Sequence, residues 1–399
     1  MPEPVAFQAP KGTFDVLSPR SRAYERLVAT FAGEVEAAGY GLVISPMFED
    51  VRVFQRVGEA SDVVRKEMYD LFDKDRPPRH LALRPEGTAS VVRAWVQHRP
   101  ALPFKAWYAA PSFRYEAPQA GRYRQHHQLG VEALGSEDPD LDVEVIGLLA
   151  RFYAAIGLTK VTCSINSLGD AECRPAYLAA LAGFLEGRAG ELCDDHRTGW
   201  ADNPLRVLDC KKTACVAATA DAPLPVDHLC PACADHFQRV QDGLRSVGVA
   251  FSLAPRLVRG LDYYTRTTFE FAAQALDSAQ DAVGGGGRYD GLAEALGGPP
   301  TPGIGFGCGV ERVILAADAE GVDLTGAGGV DVFVVDTTGG EAARDLTFAL
   351  REAGVGADRA WDGRSFKAQF KAADRSGARV ALVVGPDERE RGMVAVKPL

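Results

Sequence analysis

The fold is decided by FRYEAPQAGRYRQHHQLGVE (residues 113–132), which predicts two extended arms joined by a loop. On the second arm Gln128, Gly130 and Glu132 alternate with apolar residues, and successive side chains of a strand point to opposite faces. This alternation is typical of an antiparallel sheet that has one face on the core and one polar face. The glycine on the polar face is predicted to leave room for a ligand against the backbone.

The first arm carries Arg114 and Glu116 on one face, and the loop between the arms carries Arg122. A hairpin with these residues directs cations and carboxylates to one place. The alternative is a surface hairpin with ordinary ion pairs, each contributing about 0–1 kcal/mol.

Regular elements are predicted on both sides of this hairpin from hydrophobic periodicity. Helices are predicted at 20–39, 89–98 and 141–155, and strands at 41–45, 81–83, 106–115 and 128–134. Residues 168–253 differ from their flanks because they hold six of the eight cysteines and several short helical patterns. We interpret this stretch as an insertion.

The C-terminal part alternates strands and helices. After the glycine-rich linker DLTGAGG come VDVFVVD, helices at 341–352 and 366–375, and ARVALVVG, which favours a small α/β domain. The sequence stops at VAVKPL, short of a further strand and helix, so this domain is expected to be trimmed. We therefore predict an α+β fold: an antiparallel-sheet domain over 1–325, its helical insertion at about 168–253, and the α/β domain over 331–399.

The charge distribution restricts the function classes. The net charge of −10 argues against a generic nucleic-acid coat, because such binding neutralises phosphates with basic side chains. Residues 331–399 contain eleven Lys or Arg and eleven Asp or Glu, so residues 1–330 carry the whole −10. No apolar run reaches the roughly 18 residues of a membrane-spanning helix, and the first residues lack a signal-peptide pattern. We expect a cytoplasmic protein.

A basic stripe is predicted on the second C-terminal helix, with Phe366, Phe370 and Ala373 facing inward. Its members recur at three- and four-residue steps: Arg364, Lys367, Lys371, Arg375 and Arg379. An RNA backbone fits such a stripe, and a solvated helix face is the alternative.

Two motifs predict contacts to a polar ligand. In LRPEGT (83–88), after a predicted strand, Glu86 and Thr88 are expected to project together and to accept from an ammonium group, although a structural role is equally compatible. In LVRGLDYY (257–264), Arg259 offers a forked donor to a phosphate or carboxylate. Tyr263 and Tyr264 offer flat surfaces with hydroxyl tips.

Two glycine-rich motifs complete the candidate site. GGGGRYDGL (284–292) indicates close backbone approach by a ligand or another strand, with a flexible turn as the alternative, and it adds Tyr289. GIGFGCGVERV (303–313) predicts a strand with an open surface that runs into a helix, where an adenine could lie under Arg312. It is neither a Walker A loop nor a GxGxxG motif, which disfavours kinases and dehydrogenases.

Together these segments resemble the histidyl-tRNA synthetase family, a class II aminoacyl-tRNA synthetase family, along almost the whole chain. KGTFD, SPMFED, VGEASDVVRKEMY, LRPEGT, FRYE, GRYRQHHQLGVE and GVERV contribute to the likeness. LVRGLDYY and GGGGRYDGL are its histidine-specific pieces. The resemblance implies a ligase that uses ATP and Mg²⁺ to activate histidine and then charges tRNA(His), acting as a homodimer.

The resemblance also assigns roles to residues. It implies that Arg259 and Arg114 are catalytic. The implied ATP contacts are Arg114, Glu116, Arg122 and Arg312. The implied histidine contacts are Glu86, Gly87, Thr88, Gln128, Glu132, Tyr263, Tyr264 and Tyr289. His126 stands where the family commonly has an apolar or aromatic residue near adenine.

Two other functions remain as alternatives. One is the non-catalytic, histidine-binding regulatory paralogue of ATP phosphoribosyltransferase, which typically lacks the Arg259 motif and the C-terminal domain. The other is a threonyl or prolyl class II enzyme, which would leave LVRGLDYY and GGGGRYDGL unexplained.

The cysteines of the insertion predict a possible structural zinc site, since four sulfur or nitrogen ligands suffice. Reduced, partly buried thiols are the alternative. The candidate ligands are Cys193, Cys210, Cys215, Cys230 and Cys233.

Overall fold

The structure is a computed structural model that describes residues 7–58, 64, 66–201, 203–258, 263–276, 281–326 and 329–399. The chain forms two compact units. The first takes in the residues up to Val16 and Tyr24–Leu324, and the second takes in Leu17–Ala23 and Thr325–Leu399. Residues 168–253 belong to the first unit.

Eleven strands lie in the described part of the first unit. They are β1 (Gly41–Leu42), β2 (Phe48–Asp50), β3 (Asp70–Phe72), β4 (His80–Leu83), β5 (Phe104–Phe113), β6 (Gln125–Leu134), β7 (Val161–Ser167), β8 (Ser252–Leu253), β9 (Thr265–Ala273), β10 (Ala282–Arg288) and β11 (Gly303–Gly309). Eight of them form one sheet in the order β1-β5-β6-β11-β10-β9-β7-β8, and β2-β4-β3 form a small antiparallel sheet. In the large sheet only the outer pairs β1–β5 and β7–β8 are parallel.

The described helices of this part of the chain are α1 (Arg20–Glu36), α2 (Val51–Gly58), α3 (Thr88–His98), α4 (Pro139–Ala155), α5 (Arg174–Glu186), α6 (Leu205–Asp209), α7 (Thr213–Ala218), α8 (Pro231–Ser246), α9 (Leu292–Ala295) and α10 (Val310–Glu320). The aromatic rings of Phe31 on α1, Phe152 on α4 and Phe306 on β11 meet edge to face, with centroids 5.2 Å and 6.0 Å from Phe31. These two helices therefore cover one face of the large sheet, and its other face remains for a site.

The predicted hairpin is confirmed. β5 and β6 pair antiparallel from Phe104 opposite Leu134 to Phe113 opposite Gln125. β5 ends at Phe113, two residues earlier than predicted, so Arg114 and Glu116 lie on the connecting loop. The predicted strand at 41–45 is shorter as well, since β1 ends at Leu42.

The insertion leaves and rejoins the sheet at one place, because β7 and β8 pair in parallel at its two ends. Its helices enclose a core of their own, which includes Tyr177, Leu181, Leu185 and Val207. The same core reaches Tyr264, so it packs beside the residues that follow LVRGLD.

The second unit has a mixed sheet of β12 (Val332–Asp336), β13 (Ala357–Arg359), β14 (Val380–Val384) and β15 (Ala395–Pro398), with helices α11 (Glu341–Glu352), α12 (Phe366–Ser376) and α13 (Pro386–Arg391). β12 pairs in parallel with β13 and β14, and β15 is antiparallel to β14. The predicted partly parallel α/β arrangement and the α+β class are confirmed. Among the described helices, none has both the length and the apolar character needed to cross a membrane.

The predicted inward position of Phe366 is wrong. Its side chain is about half exposed, and its ring rests on Phe370 at a centroid distance of 4.7 Å. Phe366 is the first residue of α12, whereas Gln369 and Ala373 form the buried side of that helix.

Candidate active site

A cavity of about 400 Å³ lies over the centre of the large sheet. Its walls come from the loop after β5, from β6, β10 and β11, and from the start of α10. Five predicted site residues line it together: Arg114, Glu116, Arg122, Gln128 and Arg312. Residues that are far apart in sequence thus meet in one pocket, because the three motifs occupy adjacent strands.

Two of the arginines are held by backbone carbonyls. Arg114 Nε donates to the Pro85 carbonyl at 2.9 Å, and Arg312 donates to the carbonyls of Gly121 and Ala282 at 3.1 Å and 2.8 Å. Burial, followed by the charge of Arg122, lowers the pKa of Arg312 from its usual value. A carbonyl fixes a guanidinium without neutralising it, so this wall attracts an anion.

The third arginine is differently placed. Arg122 Nη1 lies 3.6 Å from Glu116 Oε2, and nearly half of its side chain is exposed. An ion pair this exposed contributes about 0–1 kcal/mol, so Arg122 can exchange Glu116 for a ligand at small cost.

His126, on β6, is an aromatic ring of this wall, and Tyr123 is another. Burial, followed by the positive charges of Arg114, His127 and Arg312, lowers its pKa to about 3. The ring is therefore neutral near pH 7. A neutral imidazole can stack on a base without adding to the positive charge of the wall.

Glu86 has a different setting from the one predicted. The strand β4 ends at Leu83 and α3 begins at Thr88, so Glu86 and Thr88 do not alternate along a strand. Instead, the Glu86 carboxylate accepts from the backbone N–H groups of Thr88 and Ala89 at 2.6 Å and 2.9 Å. The carboxylate satisfies the free amides of a helix start, and burial raises its pKa.

Glu132 is the centre of a fully buried group. Its carboxylate accepts from Thr88 Oγ1 at 2.6 Å and from the Tyr289 hydroxyl. Burial raises the pKa of Glu132 well above its usual range, against the effect of these two hydrogen bonds. Tyr263 packs beside Tyr264 and Tyr289, with ring centroids 4.7 Å and 5.8 Å away. The predicted carboxylate and tyrosines therefore do lie together.

The glycines of the sheet have specific neighbours. A Cβ at Gly130 would collide with the ring of Tyr108 and with the Phe306 carbonyl, so the predicted room for a ligand at Gly130 is filled by Tyr108. Gly305 and Gly307 likewise lie against side chains, those of Glu132 and Gln128. The predicted open surface is therefore confirmed only in part: Gly305 is covered by Glu132, whereas Gly307 and Gly309 line the cavity.

The four-glycine run forms strand β10, so the alternative of a flexible turn is wrong. A Cβ at Gly286 would meet the Gly305 carbonyl on the neighbouring strand, and one at Gly287 would meet the Thr267 carbonyl at 2.5 Å. Gly284 and Gly285 line the cavity. Gly286 and Gly287 are therefore required by the close approach of neighbouring strands, whereas Gly284 and Gly285 border the cavity.

Gln128 lies on the same strand face as Glu132 and also belongs to the arginine-lined cavity. It lines the cavity, and its Oε1 is buried without a hydrogen-bond partner among the described residues. A buried acceptor left unpaired costs about 1–3 kcal/mol, which a ligand donor would recover.

Several site residues were not found from the sequence. Glu67, Arg206 and Glu311 line the cavity, and Glu311 accepts from the His127 backbone N–H at 2.9 Å. Arg206 lies in the insertion, where no spacing relates it to the cavity motifs. The predicted catalytic Arg259, with residues 260–262, lies outside the described residues.

Arg288, within the GGGGRYDGL motif, has a structural setting. It is fully buried and binds the buried Asp142 with Nη2 2.6 Å from Oδ2. His236 Nε2 lies 3.2 Å from the same carboxylate. This charge pair connects the end of β10 to α4 and positions the adjacent Tyr289.

Comparisons with known proteins agree with these features. A family profile for histidyl-tRNA synthetase matches residues 12–313, and one for an anticodon binding domain matches residues 330–399. A histidine–tRNA ligase of Moorella thermoacetica is 48% identical over 98% of this chain and 93% of its own length.

This chain belongs to the histidyl-tRNA synthetase family.

Solved structures of the family have the same fold. The apo histidyl-tRNA synthetase of S. aureus has a TM-score of 0.81 at 34% identity, over 98% of this chain and 95% of that one. A Bacillus halodurans protein titled as an ATP phosphoribosyltransferase regulatory subunit/histidyl-tRNA synthetase has a TM-score of 0.65 at 20% identity, over 90% of this chain and 93% of that one. The second likeness concerns the fold alone, and the regulatory paralogue is not favoured.

The five cysteines that we predicted as ligands of one zinc site do not form one group. Cys193, Cys210 and Cys215 lie together with His196. Cys230 and Cys233 lie in a second group with Asp170 and Cys173. Spacing alone missed this division because the partners of Cys230 and Cys233 precede them by almost sixty residues.

The basic stripe of the second unit is shorter than predicted. Lys367, Lys371 and Arg375 lie on α12 and are exposed, whereas Arg364 and Arg379 flank the helix. Arg379 pairs with Asp331 at 2.9 Å. The stripe therefore has three helical members.

Proposed function

We propose that this chain activates histidine with ATP and transfers it to tRNA(His), and that both substrates bind in the pocket described above. The observation that carries the proposal is the juxtaposition of an arginine-lined cavity with a buried carboxylate and tyrosine group, with Gln128 between them. The family membership supports the same ligase activity.

The arginine wall is proposed to hold ATP. Arg114 and Arg312 are fixed without being neutralised, which suits phosphate oxygens. Arg122 is proposed to join them on leaving Glu116, and Glu116 to accept from the adenine amino group. Mg²⁺ fits beside the cavity carboxylate of Glu67, and when bound it neutralises charge on the outer phosphates.

The buried group is proposed to hold histidine. Glu86, Gly87, Thr88 and Gln128 are assigned to the ammonium end, where Gln128 Oε1 offers an unpaired acceptor. Glu132, with Tyr263, Tyr264 and Tyr289, is assigned to the imidazole. A buried carboxylate of this kind discriminates against amino acids without a ring N–H, because Glu132 can accept a ring N–H beside its bonds from Thr88 and Tyr289, and other side chains leave that bond unmade.

The reaction needs no protein nucleophile. The histidine carboxylate attacks the α-phosphorus in line, and negative charge grows on the phosphoryl oxygens as pyrophosphate leaves. Arg114 and Arg259 are proposed as the fixed donors that stabilise this charge. The role of Arg259 rests on its family motif.

The remaining parts of the proposal concern organisation. We propose a catalytic domain over 1–325 with its insertion at about 168–253, an anticodon-binding domain over 331–399, a homodimer and a cytoplasmic location. The exposed Lys367 and Lys371 are proposed to contact the tRNA backbone. Charge reversal at both lysines should lower tRNA affinity by about tenfold and flatten its salt dependence. Glu352→Lys, away from the stripe, is the control.

Histidine-dependent exchange of pyrophosphate into ATP tests the central proposal. We expect exchange with histidine and none with threonine or proline. A chain that binds histidine without exchange would instead be the regulatory paralogue. Aminoacylation of tRNA(His), measured separately, tests the transfer step.

A further inference from the structure

Two compact groups of metal-ligating side chains lie in and next to the insertion, and none of their residues lines the arginine-rich cavity. In each group, one ligand atom from every residue lies within 4.8 Å of the others. The first group is Cys193, His196, Cys210 and Cys215, and the second is Asp170, Cys173, Cys230 and Cys233.

The first group has the dimensions of a tetrahedral zinc site. With zinc–sulfur bonds of about 2.3 Å, neighbouring ligand atoms are roughly 3.8 Å apart, and nitrogen ligands lie slightly closer. Cys193 Sγ lies 3.8 Å from Cys210 Sγ and 3.3 Å from His196 Nδ1, and Cys215 Sγ lies 3.7 Å from His196 Nδ1. A metal ion at the centre would therefore meet four ligands without rearrangement.

The first group lies against the core of the insertion. The Cys193 backbone N–H donates to Cys215 Sγ at 3.4 Å. Cys193 and Cys215 are buried within that core. The four ligand atoms therefore converge on one point beside apolar side chains.

The second group is assembled from two helix starts. Cys173 immediately precedes α5, and Cys230 immediately precedes α8, which also carries Cys233. Gly169, with a φ of +68°, makes the turn that brings Asp170 in, and a Cβ there would lie 2.6 Å from Cys173 Sγ.

The two groups differ in their fourth ligand. The first has a histidine nitrogen. The second has the Asp170 carboxylate, which also pairs with Arg266 at 3.4 Å. A carboxylate shared with a guanidinium is a poorer metal ligand, so the second group should bind more weakly.

We propose that the chain binds two structural zinc ions, one in each of these four-residue sites. Both sites are closed, since four protein ligands complete the tetrahedron and leave no position for a substrate. The first ion would connect the 193–196 segment to α7. Only the short helix α6 lies between these two segments in the described chain. The second would connect the start of α5 to the start of α8. The proposal is independent of the ligase activity.

Zinc content of the purified full chain tests the proposal, measured by elemental analysis and by a chromogenic chelator after thiol modification. Close to two equivalents per chain are expected. Cys210→Ser and Cys230→Ser should each remove one equivalent, and Cys163→Ala, outside both sites, should remove none. His196→Cys should keep the first ion, whereas His196→Ala should lose it.

A titration of the metal-free wild-type chain with Co²⁺ provides a count that does not depend on the folding of variants. Two successive binding phases with ligand-field bands typical of tetrahedral thiolate coordination are expected. The Co²⁺ bound in the second phase should be removed by less chelator than the Co²⁺ bound in the first. Under half an equivalent of zinc together with eight reactive thiols would overturn the proposal. A single ion removed by Cys210→Ser and unaffected by Cys230→Ser would overturn the second site. Histidine-dependent pyrophosphate exchange, followed in parallel, reports on the ligase proposal separately.

Discussion

The two ends of the proposed active site, the buried group around Glu132 and the arginine-lined cavity, are built on opposite principles. The end around Glu132 is fully buried, and its side chains already bond to one another. The end around Arg122 is partly exposed, and its cations are held by carbonyls or by a weak ion pair. The buried end is suited to discrimination, because any mismatched group there stays unpaired. The open end is suited to charge that appears and departs, as phosphates do.

The sharpest test of the buried end is Glu132→Gln. The amide keeps the shape but replaces one oxygen acceptor with an N–H donor, so kcat/KM for histidine in pyrophosphate exchange should fall by about 10⁴-fold. Glu36→Gln, on the exposed side of α1, is the matched control and should have no effect. A loss below tenfold would mean that discrimination resides elsewhere.

The support beneath the buried end is tested by Asp142→Asn. This variant leaves the fully buried Arg288 without its carboxylate, which should cost about 3–5 kcal/mol of unfolding free energy in urea denaturation. Glu34→Gln breaks the exposed Arg151 pair and should cost about 0–1 kcal/mol. Equal effects of the two variants would contradict a special role for the buried pair.

The same variant has a pH signature. Burial raises the pKa of Asp142, but the hydrogen bond from His236 and the charge of Arg288 outweigh it, and the pKa lies below its usual value. A carboxyl with a depressed pKa stabilises the fold above its unfolded pKa of about 4, and that stability is lost as the pH falls further. The wild type should therefore lose more stability on acidification than Asp142→Asn does.

The catalytic role proposed for Arg259 is tested by Arg259→His. Loss of one fixed donor should lower adenylate formation by about 10²-fold and leave the histidine dissociation constant nearly unchanged. Arg239→His, at an exposed position on α8, serves as the control. Near-normal pyrophosphate exchange would remove Arg259 from the mechanism.

The smallest effect is expected at His126. Its ring should titrate with a pKa of about 3 in nuclear magnetic resonance of the free chain. Arg114→Gln should raise this pKa slightly, because burial is the larger cause of the depression and the arginine charge is secondary. A free-chain pKa near 6.5 would show that the ring is hydrated and that the wall is more open than described.

The sequence predicted the hairpin, the glycine-rich strand that runs into α10 and the alternating C-terminal domain, because each has a local period. From its motifs it also predicted Arg114 and Gln128, which line the cavity, and Glu132 and Tyr289, which hydrogen-bond to each other. The role of Glu86 as the acceptor at the start of α3 was missed because residues 84–88 were treated as extended, although the helix predicted from residue 89 begins only one residue earlier, at Thr88. The occupation of the Gly130 surface by Tyr108 depends on the pairing of β5 with β6 and could not be read from either strand alone.

What the sequence determined by itself is the set of elements and the family, because periodicity and contiguous motifs are local properties of a chain. The tertiary structure alone decided which polar groups meet: Asp142 with Arg288, Glu132 with Thr88, and Asp170 with Cys233. These partners are between about forty and nearly 150 residues apart. A buried charge or thiol is stable only beside a complementary partner, and the folding of distant segments brings that partner to it.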